Sequence, residues 1–201
     1  FRRVLFRSRL PQAWSITRGT PSVVIATLDT GIVFNHPDLG GRLLPGYDFV
    51  NSTTRSMDGD GYDPDPSEPF DDSDTTSIYA WHGTHTAGIL GAIGDNMIGV
   101  AGVTQNCPIL PIRVLGSNRN GSVYDLAEAI RYAAGLPNAS GTLPVRKANV
   151  INMSLDSGAG SAVPVSVGEA CQDAKNAGVI LVAASGNQGS SEPSYPAAFD
   201  D

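Results

Sequence analysis

The chain has little cysteine, no long apolar run and no surplus of basic residues. With two cysteines in 201 residues it is not a disulfide scaffold, and we interpret Cys107 and Cys171 as buried free thiols because each lies in an apolar segment. No apolar run approaches the length of a membrane span. A net charge of −7, from 13 basic and 20 acidic residues, argues against a nucleic-acid-binding protein.

Residues 1–8 differ in character from the rest of the chain. They are basic and apolar, whereas the remainder is rich in proline, glycine and aspartate. They also lack the small-residue cleavage site of a secretory signal peptide. We therefore interpret residues 1–8 as a non-native junction and residues 9–201 as part of one domain of a size that suits a single α/β fold.

Short apolar runs alternate with amphipathic or small-residue segments along the chain. The apolar runs predict buried strands at residues 22–28, 43–50, 109–115, 149–155 and 179–184. The other segments predict helices at residues 82–93, 123–134 and 165–177. Strands that alternate with helices indicate a mostly parallel sheet covered on both faces, which is a three-layer αβα architecture.

Residues 51–80 are polar, acidic and proline-rich, and this composition predicts a long surface insertion. Such dense negative charge is stable only when it is solvated or bound to a cation, and carboxylate oxygens suit Ca²⁺. The segment is not an EF-hand, because a loop that begins at Asp58 has Asp63 at its sixth position and Pro69 at its twelfth. Two readings stay open: a calcium loop of another kind that uses Asp58, Asp60 and Asp63, and a solvated acidic loop.

Three polar residues stand where predicted elements begin or end. Asp29 follows a buried strand, His82 opens a helix, and Asn187 follows a later strand. In a parallel α/β fold these positions share one edge of the sheet. A carboxylate there can orient an imidazole that activates a hydroxyl nucleophile, and a neutral amide can stabilise an oxyanion.

Each of these motifs taken alone is also ordinary turn chemistry, but the ordered set favours a hydrolase. A nucleotide-binding α/β domain is a weak alternative, because no Gly-x-Gly-x-x-Gly or phosphate loop follows the first strand.

The same segments resemble the Asp, His and oxyanion-hole motifs of the subtilisin-like serine proteases, or subtilases, over roughly residues 10–201. The segments that carry the resemblance are Leu28–Gly31, His82–Gly88 and Ser185–Asn187. The resemblance implies a subtilisin-like fold and a serine endopeptidase activity. It also implies that Asp29 orients His82, that His82 acts as base and then as acid, and that Asn187 donates to the oxyanion.

The resemblance further implies a cleft for a polypeptide in extended conformation. One side is formed by Arg119, Asn120 and Gly121, the other by Ser154 and Leu155, and the far wall of the specificity pocket by Ala184, Ser185 and Gly186. Asp156 stands where the family usually has glycine. It either pairs with an arginine or lysine of the substrate or turns outward to solvent, and the sequence leaves both readings open.

A structural calcium ion is a second implication of the resemblance. Asp38 resembles the family's calcium-ligating aspartate, and the segment 94–100 resembles its calcium loop. The residues expected to supply oxygens from that loop are Gly94, Asn96, Ile98 and Val100. The resemblance also implies a secreted, extracellular monomer without nucleic-acid or membrane partners, and a cis peptide at Tyr195–Pro196.

The family carries its nucleophilic serine on a Gly-Thr-Ser-type segment that follows the oxyanion asparagine at some distance. No such segment occurs between Asn187 and Asp201. We therefore expect a domain that is incomplete at its C-terminus and inactive alone. The alternative is a non-catalytic, subtilase-like binding protein, and the presence or absence of the serine in the parent gene separates the two.

Overall fold

The computed structural model describes residues 9–69, 81–116 and 119–199. The predicted junction at residues 1–8 lies outside the described residues, as do Asp71, Asp72 and Asp74 of the acidic segment.

A single five-stranded sheet forms the centre of the molecule. Its strands are β1 (Ile25–Asp29), β2 (Tyr47–Asp48), β3 (Ile109–Arg113), β4 (Val150–Met153) and β5 (Ile180–Ala183). The strand order is β2-β3-β1-β4-β5, and every neighbouring pair is parallel. The predicted parallel sheet is therefore confirmed, with β1 at its centre.

The strand predicted at residues 43–50 differs more from its prediction than the other strands do. It is divided into an isolated bridge between Leu43 and Ile109 and the two-residue strand β2. Pro45 lies between them and has no N–H to donate to the ladder.

Five helices accompany the sheet among the described residues. They are α1 (Leu10–Trp14), α2 (Thr53–Ser56), α3 (His82–Gly91), α4 (Val123–Ala133) and α5 (Val165–Asn176). Helices α4 and α5 pack against each other and against the main core of the sheet. Helix α3 packs on the opposite face, where its Ala87 meets Ile32, Leu39 and Ile109 in a smaller core. This arrangement confirms the three-layer prediction.

Strand β5 lies at one edge of the sheet and is covered on one face only. Its Leu181 and Ala183 pack against the main core, whereas Ile180 is 63% exposed and Val182 is 49% exposed. Both cysteines are buried and unpaired, as predicted. The peptide bond at Tyr195–Pro196 is cis.

The acidic segment is more deeply packed than a surface insertion. Asp63 pairs with Asp48 in an antiparallel bridge, and Ser67 pairs with Ile32. Because these bridges place the segment against the sheet, Ser56 and Glu68 become buried. The described part of the segment, residues 51–69, is therefore a component of the fold at the edge where β1 ends.

Candidate active site

Asp29 and His82 form a hydrogen-bonded pair at the carboxyl edge of the sheet. Asp29 is the last residue of β1 and His82 is the first of α3. The Nδ1–H group of His82 donates to Oδ1 of Asp29 over 2.7 Å, from a side chain 28% exposed to one that is 1% exposed. The hydrogen bond to Asp29 raises the pKa of His82, although burial lowers it. The buried carboxylate thus orients the ring and leaves Nε2 for proton transfer.

Two further donors hold the Asp29 carboxylate in place. The N–H of Thr30 donates to Oδ1 over 2.8 Å, and the hydroxyl of Thr86 donates to Oδ2 over 3.1 Å. Thr86 lies one helical turn beyond His82, so α3 supplies both the base and a donor to its orienting carboxylate. Thr86 lies within the segment His82–Gly88, but the sequence pattern does not predict this role for it.

Gly83 allows the start of α3 to lie directly on the turn after Asp29. Its N–H donates to the hydroxyl of Thr30 over 2.9 Å. A Cβ at Gly83 would overlap the carbonyl oxygen of Gly31 and would lie 3.2 Å from Cβ of Asp29. Glycine is therefore required here by close backbone approach.

The residue before His82 is held by a buried carboxylate that sequence reasoning missed. Trp81 has a left-handed backbone with φ of 67°, and its N–H donates to Oε1 of Glu68 over 3.2 Å. Glu68 is 8% exposed. Burial, and after it the charge of Asp29, raise the pKa of Glu68 to about 7. No sequence spacing links Glu68 to His82, so only the fold shows that Glu68 holds the residue before His82.

An open cleft of about 750 Å³ lies beside His82. It brings together most of the predicted substrate-binding residues, since it is lined by Arg119, Asn120, Gly121, Ser154, Leu155 and Asp156. Asn187 lines the same cleft, so a residue 105 positions after His82 in the chain faces the same space. In the part of the chain that the structure describes, Ala184, Ser185 and Gly186 are not among the lining residues.

Asp156 turns inward toward the loop that carries Asn187. Its Oδ1 accepts from the N–H of Gly158 over 2.7 Å, from Nε2 of Gln188 over 3.2 Å and from the hydroxyl of Ser194 over 3.3 Å. Oε1 of Gln188 in turn accepts from the N–H of Asn187 over 3.0 Å. These donors hold Oδ1 of the half-buried Asp156 at the wall of the cleft, and both readings of its role stay predictions.

The first candidate calcium site is organised around Asp38, which is 2% exposed. Its Oδ1 accepts from Nδ2 of Asn96 over 2.9 Å, and its Oδ2 accepts from the N–H of Val100 over 2.8 Å. Oδ1 of Asn96 accepts from the N–H of Ile98 over 3.1 Å. The loop that begins at Gly94 thus lies against Asp38 and presents N–H groups to its carboxylate, so ligation by Asn96 requires its amide to turn over.

The second candidate site differs in composition from the prediction. Carboxylate oxygens of Asp48, Asp58 and Asp63 lie within 4.8 Å of one another, whereas Asp60 is outside this group among the described residues. Arg113 donates to Asp48 over 2.5 Å and also to Asp58. Burial raises the pKa of Asp48 to about 7 even though Arg113 opposes the shift. Asp48 replaces Asp60 because the bridge to Asp63 folds the segment back onto β2.

The chain is similar to known serine proteases in sequence and in structure. Residues 20–201 match the profile described as the subtilase family. The thermophilic serine proteinase of Bacillus sp. strain AK1 is 39% identical over 189 residues, which are 94% of this chain and 39% of that protein. The extracellular protease of Xanthomonas campestris is 36% identical over 189 residues, which are 89% of this chain and 31% of that protein.

A solved protease structure from Pseudoalteromonas arctica superposes with a TM-score of 0.83 at 36% identity and covers 93% of this chain and 56% of the other. The chain thus spans between 31% and 56% of the length of these proteins. Among the described residues, no helix has both the length and the apolar character needed to cross a bilayer.

Proposed function

The chain belongs to the subtilase family, and on that premise we propose that it forms part of a serine endopeptidase with His82 as its general base. The observation that carries the proposal is the 2.7 Å hydrogen bond from Nδ1 of His82 to the buried Asp29, at a cleft that Asn187 also lines. A cleft with a fixed imidazole and an amide donor is suited to acyl transfer.

In the proposed reaction, Nε2 of His82 takes the proton of a serine hydroxyl while the serine oxygen attacks the carbonyl carbon of the substrate. The Nδ1 proton stays on His82, hydrogen-bonded to Asp29, and the carboxylate of Asp29 stabilises the imidazolium that forms. The side-chain N–H of Asn187 donates to the oxyanion of the tetrahedral intermediate. His82 then protonates the leaving amine, and water repeats the sequence to hydrolyse the acyl-enzyme.

We also propose that the nucleophilic serine lies outside these 201 residues and that they do not hydrolyse peptide bonds alone. Two observations support this. Within residues 9–69, 81–116 and 119–199, His82 bonds Asp29 through Nδ1, and no serine is hydrogen-bonded to its Nε2. The related proteases are also longer than the aligned region.

The proposed substrate is an extended polypeptide held across the cleft by its backbone. The support is that Gly121 and Ser154, from two separate segments of the chain, both line that cleft, since the proposed pairing of a peptide needs two flanking segments. Among the described residues, the three donors to Asp156 all go to Oδ1, which leaves Oδ2 for a substrate cation. We therefore propose a preference for arginine or lysine on the acyl side of the cleaved bond.

We propose structural Ca²⁺ as the cofactor. The support at the first site is a fully buried carboxylate, Asp38, enclosed by the loop that contains Asn96. The support at the second is the convergence of Asp48, Asp58 and Asp63. Arg113 pairs with Asp48 and Asp58 there, so an ion at this site competes with its guanidinium. Carboxylate and amide oxygens in such sets suit a hard cation. When bound, the ion would fix these segments and would take no part in proton transfer.

A casein-hydrolysis assay of the longer protein that is proposed to contain this chain tests the proposal. We expect the longer protein to hydrolyse casein, and we expect His82→Ala to abolish that hydrolysis while binding of casein persists. Casein bound without hydrolysis by the unaltered protein would instead indicate a non-catalytic binding protein. The purified 201-residue chain should be inactive in the same assay, and hydrolysis that is lost on His82→Ala in that chain would contradict the proposed position of the serine.

We propose an extracellular location and a monomeric state. The support for the location is similarity to a protein named as an extracellular protease. Fractionation of the producing cells with an antibody against the chain tests it, and retention of the protein inside the cells would contradict it. Sedimentation of the longer protein tests the monomeric state.

A further inference from the structure

The segment that contains Glu68 is seated against the turn that follows Asp29. The N–H of Ile32 donates to the carbonyl of Pro66 over 3.0 Å, and the N–H of Glu68 donates to the carbonyl of Ile32 over 3.2 Å. A Cβ at Gly31 would lie 2.8 Å from the carbonyl oxygen of Pro66. The position of Glu68 is therefore set by the same turn that places Asp29.

The carboxylate of Glu68 lies beside the first turn of α3. Oε1 accepts from the N–H of Trp81, the residue before His82, over 3.2 Å. In the described ranges, the buried Oε2 has no hydrogen-bond partner. Burial of a carboxylate is unfavourable, and a neutral amide could accept the same N–H. The backbone contact alone therefore does not require a carboxylic acid at this position.

The charged groups around His82 indicate what the charge does. Asp29 and Glu68 both raise the pKa of His82, and Arg119, which lines the same cleft, lowers it. Glu68 in turn is influenced by Asp29 and, with opposite sign, by Arg113. Glu68 therefore lies next to the residue that precedes His82, where a negative charge on it favours the protonated ring.

We infer that Glu68 is a positioning residue of the active site, which anchors the start of α3 through Trp81 and stabilises protonated His82 together with Asp29. The inference deepens the proposed function, because it gives the proposed base a second anionic neighbour. A base with two anionic neighbours holds its proton more strongly in the intermediate, where the imidazolium carries the positive charge. The same two charges raise the pH at which His82 loses its proton and becomes neutral.

Proton NMR of the 201-residue chain tests the inference directly. The chain contains three histidines, so the ring resonance of His82 is identified by its loss in His82→Gln. We expect Glu68→Gln to lower the titration midpoint of His82 by roughly half a pH unit. The matched control is Glu169→Gln, which changes an exposed acid on α5, on the far face of the sheet, and should leave the midpoint unchanged. An unchanged midpoint in folded Glu68→Gln would overturn the inference.

Two further measurements cover a variant that does not fold. In the unaltered chain, the ¹³C carboxyl resonance of Glu68 and the ring resonance of His82 should each show an inflection at the other's midpoint, because coupled groups titrate together. Independent titration of the two would also overturn the inference. Glu68→Asp keeps the charge but shortens the reach to Trp81, so the Trp81 amide should exchange with solvent faster. An unchanged exchange rate would contradict the anchoring role.

None of these measurements needs a peptidase activity. If the longer protein fails to hydrolyse casein, the proposed function fails and the shift of the His82 midpoint remains. If hydrolysis is found and the midpoint does not shift, only the role of Glu68 fails.

Discussion

The backbone of Gly83 lies directly against the carbonyl oxygen of Gly31, with no side chain between them. This contact joins the first turn of α3 to the turn that follows Asp29. It limits how closely the two elements that carry the Asp29–His82 pair can approach, and the hydrogen bonds from His82 to Asp29 and from Gly83 to Thr30 hold them together.

Substitution at this contact should be destabilising. Gly83→Ala forces the two backbones apart, and we expect a loss of about 2 kcal/mol in the free energy of unfolding, as for overpacked cores. The hydrogen bond between His82 and Asp29 should weaken with it. Urea unfolding, together with the titration midpoint of His82 by NMR, measures both effects.

Gly88 supplies the matched control on the same helix. A Cβ at Gly88 would meet nothing within 4 Å, so Gly88→Ala should be neutral or should stabilise the fold by up to about 1 kcal/mol through helix propensity. Equal effects of the two substitutions would show that the Gly83–Gly31 contact does not limit the approach of α3.

The stabilising effect of His82 should depend on pH. Its hydrogen bond to Asp29 raises its pKa above the ordinary value of 6.5. The charged ring therefore stabilises the folded state fully below pH 6.5, and this contribution is lost as the pH rises through the folded-state pKa. His82→Gln should reduce the free energy of unfolding more at about pH 5.5 than at about pH 8.5. A loss that is the same at both pH values would argue against a charged pair.

Much of this arrangement could be predicted because it depends on local pattern and on one rule of topology. The run before Asp29 predicts a buried strand, and parallel strands place Asp29 and the start of the His82 helix at one edge. Glu68 and Asp48 could not be predicted in the same way. Their roles depend on how residues 51–69 fold back onto the sheet, and an acidic, proline-rich segment has no periodicity that reports its burial.

The carboxylate of Asp156 should determine the substrate preference of the longer protein. We expect kcat/KM to be higher for peptides with arginine before the cleaved bond than for those with leucine or phenylalanine. Asp156→Asn should reduce this preference by about tenfold, because it removes the charge from the wall of the cleft.

Asp173→Asn is the control for this experiment, since Asp173 of α5 pairs with Arg131 of α4, away from the cleft. It should leave the preference unchanged. The absence of any preference for arginine in the unaltered protein would contradict the proposed role of Asp156.

Removal of calcium should lower the stability of the chain. If Ca²⁺ binds as proposed, a chelator should lower Tm, and the loss should be about 3 kcal/mol when the ion was present at a hundred times its Kd. Asp38→Asn and Asp63→Asn should each remove part of the chelator effect. Thermal unfolding with and without chelator measures this, and a Tm that does not respond in the unaltered chain would contradict both sites.

Asp29 and Arg113 are register partners on the neighbouring strands β1 and β3. The N–H of Val114 donates to the carbonyl of Asp29, and the N–H of Phe49 donates to the carbonyl of Arg113, each over 2.8 Å. The residue that orients the imidazole and the residue that anchors the acidic segment thus belong to one ladder. We expect local opening of this ladder to release both together, so the edge that carries Asp29 and the acidic segment should unfold as a single cooperative unit.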